Sequence, residues 1–345
     1  MDYPLIWSLL IATAVMLYVL LDGSDLGIGI LTAFAKSDEE RNLMTATIEP
    51  VWDGNETWLI LGGGGLFAAF PLAYAILMPA FYIPVLLMLA ALIFRGVAFE
   101  FRHKAVRTTT RHFWNGAFSY GSLFAAFAQG LILGGFIQGV SVDGRSFAGG
   151  TFDWLTPFTL LVALSVTGGY VLLGSSWLVL KTEGGLQKWS RAWARRSSLF
   201  VALAMAAISL ATLSIDPRVT ERWGVTMQAI EFGKFLPLAP IPLLAGLLLV
   251  ALWRDLSILG DKAPDWRPMV LSAALFLTGY LGLGISLFPY LVPFELTIWE
   301  TAARDNALQL MLVGASIMLP VILAYTIYVY SLFWGKVDPE ESYHD

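Results

Sequence analysis

Apolar runs of about 20 residues, the length that crosses a bilayer as a helix, recur along the whole chain with little sequence between them. They fall near Leu5–Phe34, Trp58–Leu77, Pro79–Phe101, Phe113–Ile137, Thr156–Leu180, Leu199–Ile215, Phe235–Trp253, Pro268–Val292 and Ala307–Trp334. The expected fold is therefore an all-α polytopic membrane protein of about nine transmembrane helices, a single integral membrane domain over residues 1–345. Composition agrees, with 57% hydrophobic residues, 14% charged residues and a mean hydropathy of +0.69. The second and third runs adjoin so closely that a hairpin is expected there. Leu5–Leu21 carries no charge, and Asp2 but no Lys or Arg precedes it, so it reads as a retained span and not a secretory signal.

The charges between the runs orient the chain. Of the 21 Lys and Arg residues, fifteen fall in the odd-numbered connections and the tail, five in the even-numbered ones, and Arg95 lies inside the third run. Cytoplasmic loops carry the basic excess, which predicts an outside N-terminus and a cytoplasmic C-terminus.

Acids inside such a chain ask for a reason, because an ionised carboxylate at bilayer depth costs roughly 2.5–3.5 kcal/mol even on lenient scales. Asp22-Gly23-Ser24-Asp25 closes the first run and Glu49-Pro50-Val51-Trp52-Asp53-Gly54-Asn55-Glu56 opens the second. By the predicted orientation these acids, Arg95 and Glu100 share the cytoplasmic side of one three-helix unit. Arg95 precedes the end of its run by about 10 Å at 1.5 Å per residue, and Asp22 or Asp25 is its expected partner. Asp22 with Asp25, and Asp53 with Glu56, are three apart and so share a helical face. Two acids on one face suit a proton relay, because a shared site holds one proton more tightly. The plainer alternative is that Asp22 lies at the interface and Asp53 caps its helix. Gly62–Gly65 reads first as close helix packing and second as an approach to a ligand. Trp52, Trp58, Trp154, Trp177, Trp253, Trp299 and Trp334 read as an aromatic belt at span ends.

Several chemistries are excluded. The chain has no cysteine, hence no disulfide, no thiolate zinc site and no iron–sulfur cluster of its own. Its three histidines, His103, His112 and His344, lie in the basic connection after the third run or in the tail, which argues against a bis-histidine haem within the bilayer. The net charge of −5 and absence of a basic stripe argue against a nucleic-acid partner. No nucleotide-binding or zinc-protease motif is present, and no internal repeat is evident. The connections near Gly139–Thr156 and Asp216–Lys234 are of a size for short interfacial segments only.

Longer motifs carry a resemblance. Leu21-Asp22-Gly23-Ser24-Asp25-Leu26-Gly27-Ile28-Gly29, Pro50-Val51-Trp52-Asp53-Gly54-Asn55-Glu56-Thr57-Trp58-Leu59, Phe67-Ala68-Ala69-Phe70-Pro71-Leu72-Ala73-Tyr74 and Phe94-Arg95-Gly96-Val97-Ala98-Phe99-Glu100-Phe101-Arg102 follow in order, with Phe288-Pro289 and Leu296-Thr297-Ile298-Trp299 near the end. Together they resemble subunit II of the cytochrome bd-type quinol oxidases, especially the cyanide-insensitive branch. The resemblance implies nine helices arranged as two four-helix bundles and a peripheral helix. It implies a haem-bearing partner, subunit I, which carries the haems of b and d type and the quinol-oxidising loop, while this chain binds no cofactor or metal and has no catalytic residue. Some family members hold a structural quinone in subunit II, and some complexes include a small accessory subunit.

Carried over, the resemblance places Asp53 in a water-filled path from the cytoplasm to the oxygen-reducing haems, with Asp25 and Arg95 close by. Ser24 departs from the phenylalanine usual between the two acids. The expectation is a bacterial inner-membrane subunit, inactive alone, of a complex that oxidises quinol and reduces dioxygen to water. Its proton path would comprise Asp53, Asp25, Asp22 and Glu56, with Arg95 and Glu100 as charge partners. A proton- or ion-coupled secondary transporter, or a purely structural scaffold, remains the alternative.

Overall fold

The computed structural model describes residues 1–226 and 229–337. Helix α1 runs over Tyr3–Leu31, opened by the Asp2 side chain, which accepts from the Leu5 amide at 3.0 Å, and by Pro4 in its first turn. Its closing segment, from Asp22 to Leu31, is buried throughout. There α1 lies backbone against backbone with a later helix, α7 (Pro157–Lys181): a Cβ added to Gly27 would stand 1.8 Å from the Tyr170 carbonyl oxygen. The connection expected after the first run contains a short helix, α2 (Asp38–Ala46), capped by Ser37 and begun by Asp38, Glu39 and Glu40, which suit the helix N-terminus.

The second run is not one straight span running into a hairpin. Helix α3 (Trp52–Ala69) ends at Phe70, and α4 (Pro71–Ala80) departs at 120° before α5 (Tyr82–Lys104) returns. A residue preceding proline is driven from helical geometry, and Phe70 accordingly has φ −132° and ψ 61°. Proline also brings no amide to continue the ladder. At 1.5 Å per residue α3 measures about 27 Å, and it reaches the apolarity of a membrane span only together with α4.

Helix α6 (Thr108–Gln138) precedes a small hairpin of β1 (Val142–Asp143) and β2 (Ser146–Phe147), and α7 follows. Helix α8 covers Gly184–Thr212, beginning well before the expected Leu199, because Leu186, Ser190, Arg191, Ala194 and Ser197 form a buried face through the polar stretch. After α9 (Pro217–Trp223), the seventh run is split at its prolines into α10 (Phe232–Leu238) and α11 (Pro240–Arg254), which passes into a π-helical turn, Asp255–Leu259. Helix α12 (Arg267–Leu287) stops before the expected Val292, which instead lies in β3 (Tyr290–Val292), paired with β4 (Leu296–Thr297). The short α13 (Ile298–Thr301) and long α14 (Asp305–Leu332) are the last elements among the described residues.

Among the described residues, eight helices are long and apolar enough to span a membrane, and the bent α3–α4 pair makes a ninth. Helix α1 packs on α3, α6 and α7, while α5 lies along α6. Helix α7 joins this group to α8 and α12, on both of which α11 packs. One end of the assembly, where α1, α5, α7 and α14 finish, carries Lys36, Arg102, Lys104, Lys181 and Lys336 and is called the basic end below.

Candidate functional site

The site is built on the half of α1 nearest the basic end. Tyr18, Asp22 and Asp25 are spaced by four and three residues, so they form one stripe of the helix, and all three are buried. Opposite them α3 contributes Asn55 and Glu56 from its first turns, and α5 contributes Arg95. Arg95 is 1% exposed; its Nη1 lies 2.7 Å from Asp22 Oδ1 and 2.8 Å from Glu56 Oε1. Trp52 covers the guanidinium at 6.0 Å from its ring centroid, a cation–π contact that shields the pair from above. Asp25 is held differently: the Asn55 amide donates to its Oδ2 at 2.7 Å, and the Tyr330 hydroxyl reaches Asn55 Oδ1 at 3.1 Å.

Three carboxyl groups therefore share one guanidinium and one amide in a nearly closed space. Asp22 Oδ2, Arg95 Nε and Arg95 Nη2 are buried without a hydrogen-bond partner among the described residues. Atoms of this kind are ordinarily satisfied by ordered water, so the cluster is suited to hold water between its acids. Glu56, with a side chain 25% exposed, is the member nearest the surface.

Asp53 stands outside this cluster. It is exposed in the first turn of α3, on a face shared with Gly54, Thr57, Ile60, Gly63, Gly64 and Phe67. The N-cap of α3 is Val51, so Asp53 does not cap the helix, although a first-turn acid is favourable to the dipole. Glu100 is exposed on α5 and makes no ion pair among the described residues, so of the two expected charge partners only Arg95 joins the acids. Of the alternatives weighed for Arg95, Asp22 is its direct partner and Asp25 is not.

The glycine run divides between two roles. A Cβ on Gly62 would stand 3.2 Å from Val15, and one on Gly65 would stand 3.0 Å from Ile11, so these two let α3 close on α1. Gly63 and Gly64 face open space. The aromatic belt needs correction as well: Trp58, Trp154 and Trp177 are buried inside the protein, while Trp253, Trp299 and Trp334 are exposed. The histidines also sit differently from expectation, since α5 extends through His103 and α6 already includes His112, which is exposed; His344 lies outside the described residues.

Sequence reasoning gave no role to Asn55, Tyr18 or Tyr330. Tyr18 carried a usable signal, one turn before Asp22 on the same face. Deeper in the fold, Gln129 links two tyrosines, donating to the Tyr18 hydroxyl at 2.6 Å and accepting from Tyr170 at 2.7 Å. Nothing local in the sequence announces Gln129 or Tyr330, because their partners lie 111 and 275 residues away.

Comparison with known proteins gives a consistent result. A family model described as cytochrome bd terminal oxidase subunit II matches residues 3–333. The chain is 30% identical to the cytochrome bd-I ubiquinol oxidase subunit 2 of Escherichia coli K12, covering 97% of this chain and 95% of that protein. It is 29% identical to the cytochrome bd ubiquinol oxidase subunit 2 of Bacillus subtilis 168, with 97% of each covered. The solved structure of bd oxidase from Geobacillus thermodenitrificans contains a chain that matches with a TM-score of 0.72 over 97% of this chain and 100% of that one; at 17% identity this likeness concerns the fold.

Proposed function

This chain belongs to the family of cytochrome bd terminal oxidase subunit II, and from that membership we propose that it is the haem-free subunit of a quinol-oxidising, dioxygen-reducing complex, feeding protons to its partner. The partner, subunit I, carries the haems in this reading and supplies the redox chemistry. This chain's residues receive, hold and pass protons. The basic excess at one end makes that end cytoplasmic by the positive-inside rule, with the N-terminus outside and the C-terminus inside a bacterial cytoplasmic membrane.

The observation that carries the reading is the convergence of Asp22, Asp25 and Glu56 on Arg95 and Asn55, directly behind the α3 turn that exposes Asp53. In the proposed path a proton from cytoplasmic water reaches the Asp53 carboxylate. Glu56, one turn further along α3 and partly exposed, communicates with the buried acids through the Arg95 hydrogen bonds and intervening water. Arg95 balances the negative charge, while Asn55 holds Asp25 in one orientation. The open face of α3, with Gly63 and Gly64 in space, is where subunit I would cover Asp53 and receive the proton.

The test is Asp53→Asn in the intact complex. Oxygen uptake with quinol should fall by about tenfold or more, the size of effect expected for losing a positioned proton donor, while the haem spectrum and subunit stoichiometry stay as in the wild type. Normal turnover by this variant would leave the acids with a scaffold role only.

A further inference from the structure

Helix α14 is a poorly packed element with a well-fastened end. Of its 28 residues only Leu308 is buried, so lateral contacts leave most of its surface uncovered. At the basic end, the Lys181 ammonium donates to the carbonyls of Phe333, the C-cap of α14, and of Trp334 and Gly335 just beyond it, the last two at 3.3 and 3.2 Å. One turn earlier, Tyr330 packs edge-on against Trp177 at 6.0 Å and places its hydroxyl 3.1 Å from Asn55 Oδ1.

The direction of the hydrogen bonds follows from donor chemistry. The Asn55 amide nitrogen donates to Asp25 Oδ2 at 2.7 Å, which turns its oxygen, an acceptor only, to Tyr330. Tyr330 must then donate. A donor on the amide oxygen polarises the N–H group on the other side, so the two buried bonds reinforce each other. Asn55 is 1% exposed, so the tyrosine hydroxyl is shielded from bulk solvent at this contact.

We propose that Tyr330 is a positioning residue, which locks the Asn55 amide onto Asp25 and makes the hydrogen bond on that acid depend on the seating of α14. The inference rests on the reading of Asp25 as part of the proton path. It adds a residue from the far end of the chain and a structural link from the outermost helix to the relay.

The experiment uses the complete oxidase complex carrying Tyr330→Phe, which keeps the ring and its packing and deletes the hydroxyl. The infrared carboxyl band that disappears in Asp25→Asn is the readout of the hydrogen bond. In Tyr330→Phe that band should shift, and oxygen uptake should fall about two- to tenfold, the effect of one hydrogen bond, with haem content unchanged. Asn55→Ala should shift the same band, and adding Tyr330→Phe to it should shift it no further. A wild-type band in Tyr330→Phe, or an additive shift in the double variant, overturns the proposal.

Should Tyr330→Phe fail to assemble, Lys181→Met releases the end of α14 without touching Asn55. It should move the same band, and an unmoved band there is equally fatal. Normal turnover in Asp53→Asn with a shifted band in Tyr330→Phe would sink the relay and leave the positioning contact standing. Impaired Asp53→Asn with an unshifted band would do the reverse.

Discussion

Two regions of this molecule bury charge among apolar helices, and they balance it differently. Beside α1, Arg95 at 1% exposure faces Asp22 at 0%, with Glu56 as a second partner, and Asp25 takes only a neutral amide. Beside α11 and α12, Asp255 at 0% meets Arg267 at 31%, one acid to one base, and nearby Arg191 and Lys336 both reach Asp265. The second region is neutral or slightly basic as built, and two of its cations, Arg267 and Lys336, reach the surface while Arg191 is buried. In the first, carboxyl groups outnumber guanidinium groups, so bound protons and water must complete the balance. An acidic excess, and not buried charge alone, is therefore what sets the first region apart from the second.

Removing the cation is the harshest test of that contrast. Arg95→Leu leaves Asp22 in a closed space with no counter-charge, and the loss of one member of a buried pair ordinarily costs about 3–5 kcal/mol. The expected outcome is a complex that assembles in poor yield or melts at markedly lower temperature, measured by haem recovered per membrane and by thermal unfolding in detergent. Wild-type stability would mean that the acids are already neutral without Arg95, and the contrast between the regions would disappear.

At the second region the two partners should be unequal. Asp255→Asn frees Arg267, which can turn to solvent, so the expected cost is only about 1 kcal/mol. The opposite change, Arg267→Leu, strands a fully buried carboxyl and should cost about 3 kcal/mol, read by the same melts. Equal costs would show that Arg267 is held as rigidly as Arg95.

How much of this was legible beforehand depended on the range of the interaction concerned. The spans followed from apolar length, and Asp22, Asp25 and Glu56 from the oddity of acids in oil. The Arg95 partnership followed from shared depth, although only the fold could choose Asp22 over Asp25. The bend at Phe70-Pro71 was readable in principle, since proline there forbids a straight helix, but hydropathy averages over such breaks. Helix α8 began early because an amphipathic face continued through a polar segment, a periodicity that a span-finding window hides. Tyr330 and Gln129 act on residues far away in sequence, and no local pattern marks them. Glu100 is grouped with Arg95 by its expected side of the membrane, but a separation of five residues on one helix places the two side chains on different faces.

The smallest expected effect is a pH dependence at the mouth of the second region. Burial raises the Asp265 carboxyl, but hydrogen bonds from Lys336 and Gln187, with the charges of Lys336 and Arg191, outweigh burial and hold it below the usual carboxylate range. A carboxyl with a depressed folded-state value stabilises the protein fully above its unfolded value, about 3.9, and loses that contribution as pH falls through the folded one. Lys336 donates to Asp265 at 2.6 Å but is 32% exposed, so solvent screening limits the pair to about 0.5 kcal/mol. Lys336→Met should therefore lower the melting temperature slightly at pH 7, and the difference from wild type should vanish progressively below about pH 4. A difference that persisted at low pH would assign the effect to the bond between the Lys336 ammonium and the Thr182 carbonyl, 3.0 Å long, which does not titrate in that range. In that case the second region would be fastened by helix-end contacts, as α14 is by Lys181, and its ion pairs would be incidental to stability.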